Sequence, residues 1–227
     1  MLTQSAVTQT PHFDRTFTFP AGRKPAASDS LTPIGVPMSF GRNAEIYAEG
    51  ETSGYVYKVV SGVVRVSKLL PDGRRQISAF HLPGEMFGFE AEDVHHASAE
   101  AVVPAKVIAF KWEGVLSTGK QSASFVRALL NLTVLGLRHT QDHLLLLGRK
   151  NAFERLAAFL LEMDARTGSK SVLDLAMPRH DIADYLGLTL ETVSRMFAEL
   201  KERGMVRLES ARRVHLLDAA RLKGMSA

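Results

Sequence analysis

The sequence predicts an α+β chain in three parts: a β-roll, one long helix and a winged helix-turn-helix. Three observations predict it. Short β-branched runs punctuated by Gly and Pro extend from about residue 41 to 110, and apolar residues then recur at steps of three and four for roughly thirty residues. Beyond these, two short helical patterns flank Gly187 and precede a β-ribbon. An N-terminal arm rich in Thr, Ser, Pro and Ala, residues 1–30, precedes the three parts, which run 31–118 for the roll, 119–148 for the long helix and 149–227 for the winged region.

The predicted strands of the roll are Tyr55 to Val60, Val63 to Val66, Gln76 to Phe80, Ala99 to Val103 and Lys106 to Phe110, with Pro71-Asp72-Gly73 as a turn. Close spacing of short strands implies a compact roll or barrel. From Ser122 to Lys150 the residues Phe125, Leu129, Leu132, Gly136, His139, His143 and Leu146 form one seam. A helix of this length has more apolar stripe than a small β-domain can cover, and the seam is spaced like a coiled-coil a/d face, so pairing with a second copy is expected. The alternative is a helix packed wholly within its own chain.

Past Gly148, Asn151 is placed to cap a helix running from Ala152 toward Gly168. Pro178 can open the next helix, in which Ile182, Ala183 and Leu186 share one side before Gly187. Thr189 is placed to cap a second helix, whose inward stripe is Leu190, Val193, Phe197 and Leu200 and which stops at Gly204. Glu191, Ser194, Arg195 and Ala198 fall on the other face. The ribbon that follows is Met205 to Leu208 and Arg212 to Leu216.

Two short helices joined by a glycine turn can lay the second helix in a DNA major groove. Glu191, Ser194 and Arg195 carry the chemistry to read base edges there. Arginine donates twice to guanine, glutamate accepts from cytosine, and serine contacts either base or backbone, which implies a G·C pair in the site. Standing alone, Glu191 and Arg195 would be a surface i, i+4 pair of about 0.3 kcal/mol. Thr189, Thr192 and Arg179, together with Arg207, Arg212 and Arg213 of the ribbon, are candidates for phosphate contacts, which add affinity and position the reading helix.

Composition narrows the remaining classes. There are no cysteines, so disulfides, thiolate zinc sites and cysteine-held iron–sulfur clusters are excluded. No nucleophile–base pair, metal cluster or phosphate loop occurs at a usable spacing, so an enzyme is not expected. The most apolar stretch, Leu129 to Leu147, is interrupted by polar and charged residues, and a signal-peptide layout is missing, so the expected compartment is the cytoplasm. The net charge is +4, and residues 148–227 carry 14 Lys and Arg against 11 Asp and Glu, a small bias toward a polyanion.

Asp181-Ile182-Ala183-Asp184-Tyr185-Leu186-Gly187-Leu188-Thr189-Leu190-Glu191-Thr192-Val193-Ser194-Arg195, the segment Leu144 to Phe159, and Pro83-Gly84-Glu85-Met86-Phe87-Gly88-Phe89-Glu90 together resemble the CRP/FNR family of bacterial transcription regulators. The resemblance spans residue 40 to the end. It implies a cyclic-nucleotide-binding-type β-roll, a dimerisation helix and a DNA-binding winged helix. The Glu-x-x-Ser-Arg pattern is similar to the FNR and FixK branch, whose dimers recognise a TTGAT-N4-ATCAA-like palindrome, with Glu191, Ser194 and Arg195 as the implied base readers.

Departures refine this. Cyclic-AMP-binding members carry an Arg-Ser pair about a dozen residues past the roll's Gly-Glu; here His95-His96 stand there, and no arginine lies between Glu85 and Pro104. A cyclic nucleotide is therefore not expected. What remains resembles the FixK-like type, without the cysteine cluster. That type implies no cofactor, a homodimer, and activation through RNA polymerase of genes for low-oxygen respiration or nitrogen fixation. The hairpin Pro71-Asp72-Gly73-Arg74-Arg75 is either a polymerase contact or a solvated turn. His95 and His96 are expected as surface or turn residues; the competing reading is an effector-gated regulator holding a small ligand or haem in the roll.

Overall fold

The computed structural model describes residues 35–119 and 123–226, without the side chains of residues 116–119, 123–126 and 226. The predicted arm and the Phe125 side chain lie outside these residues. Eight strands build the roll: β1 (Val36–Phe40), β2 (Glu45–Tyr47), β3 (Tyr55–Ser61), β4 (Val64–Leu69), β5 (Arg75–His81), β6 (Met86–Phe87), β7 (Ser98–Ala101) and β8 (Ala105–Lys111). They form two four-stranded antiparallel sheets, ordered β1-β8-β3-β6 and β2-β7-β4-β5.

Alternation along β8 buries Ala105, Val107 and Ala109 against Val59 and Val64, and leaves Lys106 and Lys111 outside. Gly62 turns β3 into β4 with φ at 83°, and a Cβ there would lie 2.5 Å from the Pro104 carbonyl oxygen, so this corner needs glycine twice over. β2 and β6 have three and two residues, too few for alternation to be legible in sequence.

Two helices follow, α1 (Trp112–Gly119) and α2 (Ala123–Arg149). The face of α2 predicted to meet a second copy is turned largely onto its own chain. Leu129 and Leu132 pack on Val56, Phe110 and Val115, and Leu146 is 7% exposed in the main core. His139 Nε2 lies 3.1 Å from Glu162 Oε1, and His143 stacks on Tyr185 with ring centroids 4.2 Å apart. Gly136 alone of the described seam residues is exposed; the others are half-buried or buried.

The outward row is different: Leu130 (59% exposed), Val134 (47%), Leu137 (57%) and Leu144 (69%), with Gln141 in register between the last two. Steps of three and four fit either row, because α2 is apolar on two sides. Periodicity cannot say which side finds its partner inside the chain.

Asn151 caps α3 (Ala152–Thr167), accepting from the Phe153 and Glu154 amides at 3.0 Å while Glu154 accepts from the Asn151 amide at 2.9 Å, a reciprocal capping box. Beyond α3 come β9 (Val172–Asp174), α4 (Arg179–Leu186), α5 (Leu190–Glu202), β10 (Val206–Leu208), β11 (Arg213–Leu216) and α6 (Ala219–Ser226). β9 and α6 were not predicted; β9 completes a three-stranded sheet ordered β10-β11-β9.

The roll and the winged region share a core despite the divisions read at residues 118 and 149. Ile77, Phe80 and Leu82 of the roll lie in one buried cluster with Phe159, Leu160, Tyr185 and Leu186, and the Phe80 and Tyr185 rings are 5.2 Å apart. Arg166 of α3 reinforces the join, donating to the Phe80 carbonyl, to Glu85 Oε2 at 2.8 Å and to Glu162 Oε1 at 2.7 Å. Burial opposes its charge, but those carboxylates outweigh burial and hold the guanidinium protonated above its usual range.

Candidate nucleic-acid interface

Gly187 ends α4 in the left-handed region with φ at 60°, and the Leu188 amide folds back to the Ala183 carbonyl at 3.0 Å. Thr189 then caps α5, its hydroxyl accepting from the Thr192 amide at 3.2 Å. Val193, Met196, Phe197 and Leu200 are buried. Leu190, predicted as part of that stripe, is 44% exposed, and Met196, not predicted, is buried with the rest of it.

The predicted outward set is among what α5 leaves in solvent. Glu191, Ser194 and Arg195 are all exposed on the N-terminal turns. Among the described residues no ion pair joins Glu191 to Arg195, so the simple surface-pair reading has no geometric support. Glu191 is held instead by its own backbone amide and the Thr189 hydroxyl, which lower its carboxyl below the usual range and keep it an acceptor. Arg195 shares an open depression with Ala198, Glu199, Glu202 and Arg203.

The candidate phosphate contacts separate into two groups. In the ribbon, Arg207 Nη2 lies 3.2 Å from His215 Nδ1, and Arg213 sits 3.6 Å from both Asp174 and Glu209. Arg212 is exposed at the tip, where its backbone amide is fixed by the Ser210 hydroxyl at 3.2 Å. Arg179 is not a free surface cation: its guanidinium carbon lies 3.1 Å from the Phe197 ring centroid, Nη1 is buried without a partner, and burial lowers its pKa to about 10. Thr189 is exposed and Thr192 half-buried, both at the start of α5.

The two histidines of the roll part company. His95 is buried, against expectation: it stacks on Tyr47 with ring centroids 3.6 Å apart, and its Nδ1 lies 3.3 Å from Glu90 Oε1. His96 is exposed, with Nε2 3.5 Å from Glu92. Opposite sides of the chain take them, so they do not converge on one ligand. Tyr57 and Phe87 continue the stack from Tyr47, filling the roll interior with rings. Beside it, a small pocket is lined by Glu90, Glu92 and Asp93, carboxylates that repel a phosphate.

Comparison with known proteins agrees with this geometry. Residues 154–225 match the Crp-like helix-turn-helix domain, and residues 37–122 match the cyclic nucleotide-binding domain. The nitrogen fixation regulation protein FixK of Azorhizobium caulinodans is 43% identical over 213 residues, covering 89% of this chain and 86% of that protein. This chain belongs to the CRP/FNR family, in its FixK-like branch. FixK of Rhizobium meliloti is 45% identical over 80% of this chain and 82% of its own length. The solved structure of FixK2 from Bradyrhizobium japonicum superposes with a TM-score of 0.83 at 45% identity, over 86% of this chain and 98% of that one.

This FixK-like protein is therefore a DNA-binding transcription regulator of the FNR/FixK type and not an enzyme. No described helix is long and apolar enough to cross a membrane.

Proposed function

We propose that this FixK-like chain binds as a homodimer to a TTGAT-N4-ATCAA-like palindrome and activates transcription by recruiting RNA polymerase. One observation carries the reading: Glu191, Ser194 and Arg195 stand together in solvent on the first turns of α5, free of one another and aimed away from a rigid, buried stripe. Arg195 takes the guanine of the half-site and Glu191 accepts from cytosine of the opposite strand. Arg212, at the ribbon tip, is the foremost phosphate contact, with Thr189, Thr192, Arg207 and Arg213 around the groove.

The outward row of α2 supports the dimer. Leu130, Val134, Leu137 and Leu144 form an apolar stripe at heptad spacing, and such a stripe is stabilised by a second copy of itself. The filled roll interior and the missing arginine support action without a cyclic nucleotide. Its relatives' description as nitrogen fixation regulation proteins supports a role in nitrogen-fixation or low-oxygen genes, in the cytoplasm where the DNA lies. In the β4–β5 hairpin, Arg74 pairs with Asp72 at 2.7 Å and Arg75 turns inward, which leaves only the tip for a polymerase.

Selection of bound duplexes from a random pool by the full chain tests this. An inverted repeat with a G·C pair in each half-site is expected. Arg195→Ala should lose about 1–3 kcal/mol of discrimination at that guanine. Equal loss on selected and random duplexes overturns the base-reading assignment.

A further inference from the structure

Two arginines of the roll grip the first helix of the helix-turn-helix. Arg65 on β4 donates through Nε to Glu100 of β7 at 3.0 Å and through Nη1 to Asp181 Oδ2 at 2.8 Å. Arg75, which opens β5, reaches Asp181 Oδ1 with Nη2 at 2.5 Å and Asp184 Oδ2 with Nε at 2.8 Å. Gln76 adds a bond from Nε2 to the Tyr185 carbonyl at 3.3 Å. Asp181 is 0% exposed, with each of its carboxylate oxygens taken by a different strand of the roll.

His180, Asp181 and Asp184 are close enough together to suggest a cation site. The two arginines already supply that positive charge, so the cluster is a joint between domains.

Apolar contacts at this joint, Ile77 and Phe80 against Tyr185 and Leu186, are non-directional and tolerate sliding. Guanidinium–carboxylate forks do not: they hold one geometry, and a buried carboxylate that loses its partners is left as an uncompensated charge. Register and orientation, more than stability, are the best-attested use of such buried pairs.

In a two-fold dimer, the angle between α4–α5 and α2 decides how far apart the two reading helices stand, and that separation must match successive major grooves. We propose that Arg65 and Arg75 are positioning residues for DNA recognition, fixing through Asp181 and Asp184 the half-site spacing that this protein accepts. The proposal rests on the inverted-repeat reading above.

The test uses the full chain on labelled duplexes carrying the selected inverted repeat, with its spacer unchanged or altered by one base pair. The unaltered protein should bind the altered spacers roughly tenfold or more weakly. Arg75→Met should shrink that penalty to about threefold or less while keeping the preference for the half-site guanine. A merely structural role would lower affinity for every spacer alike. Should Arg75→Met fail to fold by circular dichroism, Asp184→Asn, at the partly exposed end of the network, carries the same expectation. A folded variant that retains the full spacing penalty overturns the proposal. Failure of the unaltered protein to prefer inverted over direct repeats overturns instead the reading on which it rests.

Discussion

Leu137 and Leu146 lie on opposite sides of α2, and replacing each with alanine should damage different equilibria. Leu137 is 57% exposed in the single chain. Full burial of a leucine contributes about 1.5–3 kcal/mol, so covering this exposed part contributes roughly 1–1.5 kcal/mol. Two copies cross the seam, and Leu137→Ala should weaken the dimer by about 2–3 kcal/mol, a 30- to 150-fold rise in Kd. Leu146 is 7% exposed in the core of its own chain, where truncation costs about 2–5 kcal/mol of folding stability. Sedimentation equilibrium measures the first effect and thermal unfolding at several concentrations the second. If Leu137→Ala leaves Kd unchanged, or Leu146→Ala weakens association with Tm unaltered, the assignment of the two faces is wrong.

Three further outcomes are expected. Arg212→Ala should weaken selected and random duplexes alike and reduce the slope of log K against log salt by about one, read from titrations at several salt concentrations. Gly62→Ala should lower stability by more than about 1 kcal/mol in urea unfolding, since the left-handed backbone and the Pro104 carbonyl both oppose a Cβ. Acidification should destabilise the fold between pH 6.5 and 4. Burial lowers His81 and His143 to about 4, so the unfolded chain binds protons that the native chain refuses, and stability present above pH 6.5 is lost as pH falls. Replacing His143 with a neutral isostere such as Gln should flatten that slope in unfolding curves taken across the window.

How far the sequence alone reached depended on whether a residue's partner lies nearby in the chain. The Asn151 cap, the break at Gly187 and the Thr189 cap are local events, and each was legible because its partners lie within four residues. The exposed trio of α5 was legible for the same reason: Glu191, Ser194 and Arg195 are what a 3.6-residue period leaves outside once Val193, Phe197 and Leu200 go in. Short strands such as β2, β6 and β9 carry too few residues to show a period, and their pairing is settled by neighbours far along the chain.

By itself, then, the sequence determined the order of roll, long helix and winged region and which residues α5 leaves in solvent, because helical period, capping and turn residues act over one or two turns. Tertiary structure alone decided which side of α2 packs within its own chain and which stays exposed, since both rows have the same spacing. It alone placed His95 in an aromatic stack, turned Arg75 away from its hairpin, and joined Arg65 to Asp181 across 116 residues. Those choices depend on which surfaces meet when the roll closes on the winged region, and no local period encodes that meeting.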